Sequence, residues 1–125
     1  MSELLAGVVV CHRDLAAALV AAAEEISGVR GTLVPVSNSG CDRPGLEDRV
    51  LAAVNGRPSV VFVDMPSGSC MLAVLHRLRG MEHVRVVTGV NLAMLLDFLF
   101  HRELSPADAA ARAADVGGRA IKVPA

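Results

Sequence analysis

An α/β fold, with a mainly parallel sheet covered by helices on both faces, is predicted by three features of the sequence. Short Val-rich runs recur without a polar interruption, segments of helical period lie between them, and Gly, Pro or charged residues mark the boundaries. Uninterrupted apolar strands suit a parallel sheet buried on both faces, and a right-handed crossover helix has to sit between neighbouring parallel strands. The chain has 125 residues, the size of one domain, so residues 1–125 are read as a single unit. It contains no internal repeat, low-complexity tract or dividing linker.

The elements follow in order. Leu4 to Val10 is a continuous apolar stretch and reads as the first strand. Leu15, Leu19, Ala22, Ala23 and Ile26 then share one helical face. Leu33 to Val36 is the second strand, and Leu46, Val50 and Ala53 mark the second helix. Ser59 to Val63 is the third strand, Met71, Leu72, Leu75 and Leu78 the third helical stripe, and Val84 to Val87 the fourth strand. Asn91 caps a fourth helix with Leu92, Leu95, Leu96 and Leu99 along one side. Ser105-Pro106-Ala107-Asp108 is a capping-box arrangement with Pro at the first helical position, and it opens a fifth helix running to about Val116. Ala107, Ala110, Ala111 and Ala114 give that helix a face small enough for close approach. Gly117-Gly118 is expected to end it, and the β-like tail Arg119 to Val123 is expected to add an edge strand.

Composition removes several function classes. With 12 Lys and Arg against 13 Asp and Glu, the formal charge of -1 offers no cationic surface for a phosphate backbone, so no nucleic-acid partner is expected. Phe62, Phe98 and Phe100 are the only aromatic residues, which removes the stacking platforms of single-stranded nucleic-acid binders and lectins. The apolar run Leu4 to Cys11 is far short of the ~20 residues that span a bilayer and follows no basic segment, so neither a signal peptide nor direct membrane insertion is expected. Cys11, Cys41 and Cys70 are odd in number and form no CxxC, which argues against a disulfide framework or ribbon zinc site and for a reducing cytoplasm.

Ligands of an open parallel sheet bind beyond the carboxyl ends of its strands. Those ends are Cys11-His12-Arg13-Asp14, Ser37 to Cys41, Asp64 to Cys70, and Thr88-Gly89-Val90-Asn91. If the first and third strands are neighbours, Asp64 reaches His12. A carboxylate accepting the proton of one ring nitrogen leaves the other as a free lone pair, which is a nucleophile. A surface histidine capping the first helix beside an unrelated acid has the same spacing, and the sequence leaves both readings open. Ser67-Gly68-Ser69 opens the third helix, where unpaired N–H groups and the helix dipole suit an anion, although an ordinary Ser cap reads the same way. No GxxxxGK[ST], GxGxxG or GxSxG is present. Cys11 or Cys70 with His12 would suit a cysteine hydrolase, and Cys11, His12, Cys41 and Cys70 a zinc site without short-range ligand spacing. His76, His83 and His101 read as solvated structural residues.

Taken together, these fragments resemble the enzyme IIA domain of the mannose/fructose/sorbose-type phosphotransferase system, over nearly the whole chain. Cys11-His12-Arg13-Asp14-Leu15-Ala16 follows the first strand where that family has a His-Gly pair, a residue and Leu-Ala, and Ala22 to Gly28 is similar to its helix end. Asp64-Met65-Pro66-Ser67-Gly68-Ser69-Cys70 is similar to its Asp-x-x-Gly-Gly-Ser-Pro. Gly89-Val90-Asn91-Leu92-Ala93-Met94-Leu95 is similar to its Gly-Val-Asn-Leu-Pro-Met-Leu, the most specific of the matches. The resemblance implies a doubly wound sheet of order 2-1-3-4 and a C-terminal edge strand used in a homodimer. It implies a cytoplasmic phosphocarrier in which His12 takes a phosphoryl group from HPr and passes it to a IIB component for sugar uptake. Asp64 would orient the ring, Ser69 and the amides from Ser67 through Gly68 to Ser69 would receive the phosphoryl oxygens, and no nucleotide, metal or other cofactor is implied. Arg13, Ser67, Cys70 and Ala93 depart from the family's Gly, Gly, Pro and Pro. Arg13 either crowds a docking partner or adds a cation as a modulator, and Ser67 restricts its loop if that position needs positive φ. A regulatory or interaction module on the same fold is the alternative reading.

Overall fold

A computed structural model describes residues 4–125. Strands β1 (Ala6–Cys11), β2 (Leu33–Ser37), β3 (Ser59–Val63) and β4 (Val84–Thr88) alternate with helices α1 (Leu15–Ser27), α2 (Arg43–Val54) and α3 (Ser69–Leu78), and α4 (Leu92–Leu99) and α5 (Pro106–Arg119) follow. The strands form one parallel sheet in the order β2-β1-β3-β4, so the doubly wound topology is as expected. The central strands β1 and β3 are buried along their whole length, which is why they read as unbroken apolar runs.

Alternate residues of each strand feed two separate cores. Val9 and Phe62 join Val20 of α1, Leu95 and Phe98 of α4 and Ala113 of α5 on one face. Val8, Val10, Val61 and Val63 meet Val50 of α2 and Val74 of α3 on the other. Gly7 belongs to the first face because nothing larger fits: a Cβ there would lie 2.6 Å from Leu33 Cδ2 and 2.7 Å from Phe98 Cε2. The ring of Phe98 uses that space to meet Phe62 edge-on, with centroids 5.3 Å apart.

Helix ends are set by local chemistry. Asp42 accepts from the Gly45 N–H, Asn91 from Met94 and Ser105 from Asp108, each side chain satisfying a donor that the first helical turn leaves open. α1 stops at Gly28, which takes a left-handed conformation, and its N–H donates to Glu24.

Two expectations are corrected. β1 begins at Ala6 rather than Leu4, which is exposed, and it extends to Cys11, whose register partner is Ser37 of β2. The fifth helix does not end at Gly117-Gly118 but continues to Arg119, and no strand forms in the tail. Each helical glycine costs about 1 kcal/mol relative to Ala, yet Gly117 backs directly onto the Met94 side chain, where a Cβ has no room, and its carbonyl accepts the Asn91 amide at 3.1 Å. That packing carries the helix through the pair. The exposed residues 121–125 run beside no strand among the described residues, so the hydrogen-bond ladder an edge strand needs is missing. No helix among the described residues is long and apolar enough to cross a membrane.

Gly7→Ala should destabilise the fold by about 1–3 kcal/mol through overpacking, read as a lower urea midpoint with an unchanged slope. An unchanged midpoint would contradict the close approach of Phe98 and Leu33.

Candidate functional site

The register between β1 and β3 pairs Val10 with Val63, so the residues after these strands emerge at the same edge of the sheet. Asp64 donates its N–H to the Val10 carbonyl at 3.3 Å, holding its side chain beneath the turn that follows β1. Its Oδ2 then accepts twice from His12, from the backbone N–H at 2.9 Å and from ring Nδ1 at 2.8 Å. An ionised carboxylate can only accept, so Nδ1 carries a proton, and in the neutral ring the lone pair is then on Nε2. The Asp64 side chain is 8% exposed and that of His12 39%, which sets the acid below and the ring at the surface. The second oxygen, Oδ1, is buried and has no hydrogen-bond partner among the described residues.

The turn after His12 is held by β2. Arg13 has φ 54°, donates its N–H to Asn38 Oδ1 at 2.9 Å, and accepts from Ser37 Oγ through its carbonyl at 2.6 Å. Asn38 Nδ2 also lies 3.5 Å from Ser69 Oγ, so one amide side chain spans from the His12 turn to the start of α3. The sequence places Asn38 at the second strand end but gives it no role. Its only sequence signal is that position, 26 residues beyond His12 in the chain.

α3 begins against the ring. Gly68 has φ 94° and ψ −176°, backbone essentially reserved for glycine, and a Cβ there would lie 3.6 Å from His12 Cε1 and 3.8 Å from Nε2. The helix closes its first bond from the Leu72 N–H to the Gly68 carbonyl, which leaves the amides of Ser69, Cys70 and Met71 without intrahelical acceptors. Those amides and the helix dipole favour an anion beside Nε2. The left-handed conformations here belong to Arg13 and Gly68, not Ser67, so Ser67 takes its family's Gly position without strain.

The structure brings together His12, Asp64, the turn from Ser67 to Ser69, and Cys70. Cys70 Sγ is buried 3.8 Å from His12 Nδ1, and the ligand atoms of His12, Asp64 and Cys70 lie within 4.8 Å of one another. Cys11 and Cys41 do not join them. Cys11 packs into the α1, α4 and α5 face, and the Cys41 thiol donates to the Asn38 carbonyl. The four-residue set Cys11, His12, Cys41 and Cys70 is therefore not assembled, because Cys11 is the last residue of a buried strand rather than part of a loop. Burial, and then the Asp64 charge, push the Cys11 thiol up to about 12 and the Cys70 thiol up to about 11. Both stay protonated at neutral pH, which removes the thiolate a cysteine hydrolase needs. His76 bonds Glu47 across α2 and α3, and His101 bonds the Asp97 carbonyl, as structural residues do.

A family model described as "PTS system fructose IIA component" matches residues 6–115. No curated protein sequence matches the chain. Among solved structures, the mannose/sorbose specific IIA subunit of the phosphotransferase system from Enterococcus faecalis is similar with a TM-score of 0.85 at 19% identity, covering 98% of this chain and 96% of that one. A phosphotransferase system component EIIA from Streptococcus agalactiae gives 0.88 at 16% identity over 96% and 97%. A sigma-54 interaction domain protein from Enterococcus faecalis gives 0.78 at 11% identity over 96% and 95%. At such identities these likenesses establish the fold.

Two substitutions test the turn geometry in opposite directions. Arg13→Gly relieves a left-handed residue and should raise stability by up to about 1 kcal/mol, after the greater chain entropy of glycine is offset. Gly68→Ala should lower it by about 1–3 kcal/mol. Equal and small effects in urea unfolding would contradict both assignments.

Proposed function

This chain belongs to the EIIA-man family of phosphotransferase-system IIA components, and we propose that it acts there as a phosphocarrier, with His12 Nε2 as the acceptor atom. One observation carries the reading: Asp64 Oδ2 accepts hydrogen bonds from both the backbone N–H and ring Nδ1 of His12, which turns Nε2 of the neutral ring, with its lone pair, toward the first turn of α3.

In the transfer, the Nε2 lone pair attacks the phosphorus of phosphorylated HPr. The N–P bond of the donor breaks, its imidazole leaves with the bonding pair, and a new N–P bond forms on His12. The ring keeps its Nδ1 proton throughout and becomes positively charged, and the Asp64 carboxylate 2.8 Å away offsets that charge. Ser69 Oγ and the amides at residues 67–69 meet the phosphoryl oxygens, so positioning and fixed dipoles do most of the catalysis. Transfer to a IIB component reverses the step with a different imidazole or thiol as acceptor. Arg13, exposed next to His12, modulates the site as an added cation for the incoming phosphate.

Half-exposed apolar side chains support a protein partner. Leu15 opens α1, Met65 follows Asp64, and Leu72 lies in the first turn of α3, so all three stand on elements that border His12. HPr and then IIB would cover them in turn. The cytoplasm is where such partners meet, and we place the protein there. A homodimer is supported by Ile121 and Val123, which leave apolar surface exposed on the tail.

A regulatory or interaction module is the second reading, favoured by the presence of the same fold in a sigma-54 interaction domain protein. Fold alone does not choose between carrier and regulator.

Incubation with phosphoenolpyruvate, enzyme I and HPr should yield an acid-labile phosphoprotein. His12→Ala should abolish the label, and Asp64→Asn should slow its appearance at least about 100-fold, since the ring loses its charged partner. No label on the wild type, or label retained by His12→Ala, would reject the carrier reading in favour of the regulatory one.

A further inference from the structure

We infer that His12 Nδ1, the Asp64 carboxylate and Cys70 Sγ form a three-ligand site for a zinc-like divalent cation, and that a cation bound there switches phosphoryl acceptance off. The first half stands on geometry; the second rests on the carrier reading of His12.

The donor set is one imidazole, one carboxylate and one thiol, a combination that suits zinc more than magnesium or calcium. Tetrahedral zinc with ordinary bond lengths holds nitrogen and sulfur ligands roughly 3.6 Å apart and nitrogen and oxygen ligands roughly 3.4 Å apart. Nδ1 lies 3.8 Å from Cys70 Sγ and 2.8 Å from Asp64 Oδ2. The sulfur is thus already at coordination distance, and the carboxylate has to open by about half an ångström. A second observation points to a ligand independently. Asp64 Oδ1 is buried, without a hydrogen-bond partner among the described residues, on a side chain only 8% exposed. An anionic oxygen in that position is under-satisfied, and a cation held by the same carboxylate would offset the cost.

Charge balance favours the complex. A divalent cation with one carboxylate, one thiolate and one neutral imidazole is neutral overall, which suits a half-buried position. The Asp64 charge that helps to keep the thiol protonated is the charge the cation would neutralise. On binding, Cys70 loses its proton to solvent and sulfur bonds the metal. The neutral ring changes tautomer: Nδ1 gives its proton to solvent and bonds the metal, and Nε2 takes one up from solvent, so the ring still carries a single proton. That nitrogen then has no lone pair for phosphorus. The fourth position is left to water.

Cobalt(II) replacing zinc gives a direct readout. Titrating the full chain with Co²⁺ alone should give one site with a thiolate-to-cobalt charge-transfer absorption. The band should vanish in Cys70→Ser and in the surface variant His12→Gln, and persist in Cys41→Ser. A missing band, or one that survives both Cys70→Ser and His12→Gln, would overturn the site. In the phosphorylation assay, Zn²⁺ at about ten times its Kd should cut acceptance by the wild type about tenfold, because only the unbound fraction competes. Zn²⁺ should not lower acceptance by Cys70→Ser below that variant's own metal-free rate, and Mg²⁺ should inhibit neither protein. Equal inhibition of wild type and Cys70→Ser would place the zinc effect elsewhere and overturn the switch. A wild type that shows the cobalt band but accepts no phosphoryl group when metal-free supports the site and overturns the carrier reading instead.

Discussion

The double acceptance by one oxygen of Asp64 is the interaction on which the rest of the site depends. The bond from the His12 backbone fixes where the turn after β1 sits, and the bond from Nδ1 fixes the ring's tautomer. Because both end on the same atom, backbone position and proton position are set together. The ring cannot swing toward solvent without losing its tautomer, and the turn cannot shift without moving the ring. The buried sheet supplies the rigidity, since Val10 and Val63 just below are fully enclosed. A loose carboxylate on a surface loop would provide the charge but not this geometry.

The turns around His12 divide the conformational cost between two residues. Arg13 accepts a left-handed backbone against its side-chain preference, held by Asn38 and Ser37 on either side of its peptide. Gly68 takes the more extreme conformation, which lets α3 begin almost in contact with the imidazole. The departure from Gly at position 13 therefore costs modest strain, whereas position 68 retains the residue its backbone demands. The departure at Ser67 costs no such strain, because its backbone is ordinary.

Much of this was legible in the sequence, because parallel sheets write their burial plainly. The four Val-rich runs are the four strands, and the polar residues after the first and third do meet. The strand order came from the resemblance rather than from periodicity, because a run of valines does not say which neighbour it pairs with. Other features leave little trace. The first strand is displaced toward Cys11 because pairing with β3 at Ala6 and with β2 at Cys11, not hydrophobicity, sets its limits. Asn38 acts through tertiary contacts, and no local pattern marks it out. The two glycines near the end of the chain read as a stop signal, since their propensity is local whereas the contact with Met94 is not. The sequence alone does not separate Cys70 from Cys11, because the alternation that sends Cys11 to the opposite face is visible only once the register of β1 is known.

Asn91 has a further consequence, one that concerns chemical ageing. Its Oδ1 accepts from Met94 at the start of α4, while its Nδ2 donates to Gly117 near the end of α5, so a single amide fastens two helices using both of its ends. Deamidation would preserve the first attachment and reverse the second, setting a carboxylate oxygen against a carbonyl oxygen. The α4–α5 corner thus tolerates neither an acid nor a hydrocarbon at this position, and the loss of one nitrogen atom would be felt along both helices.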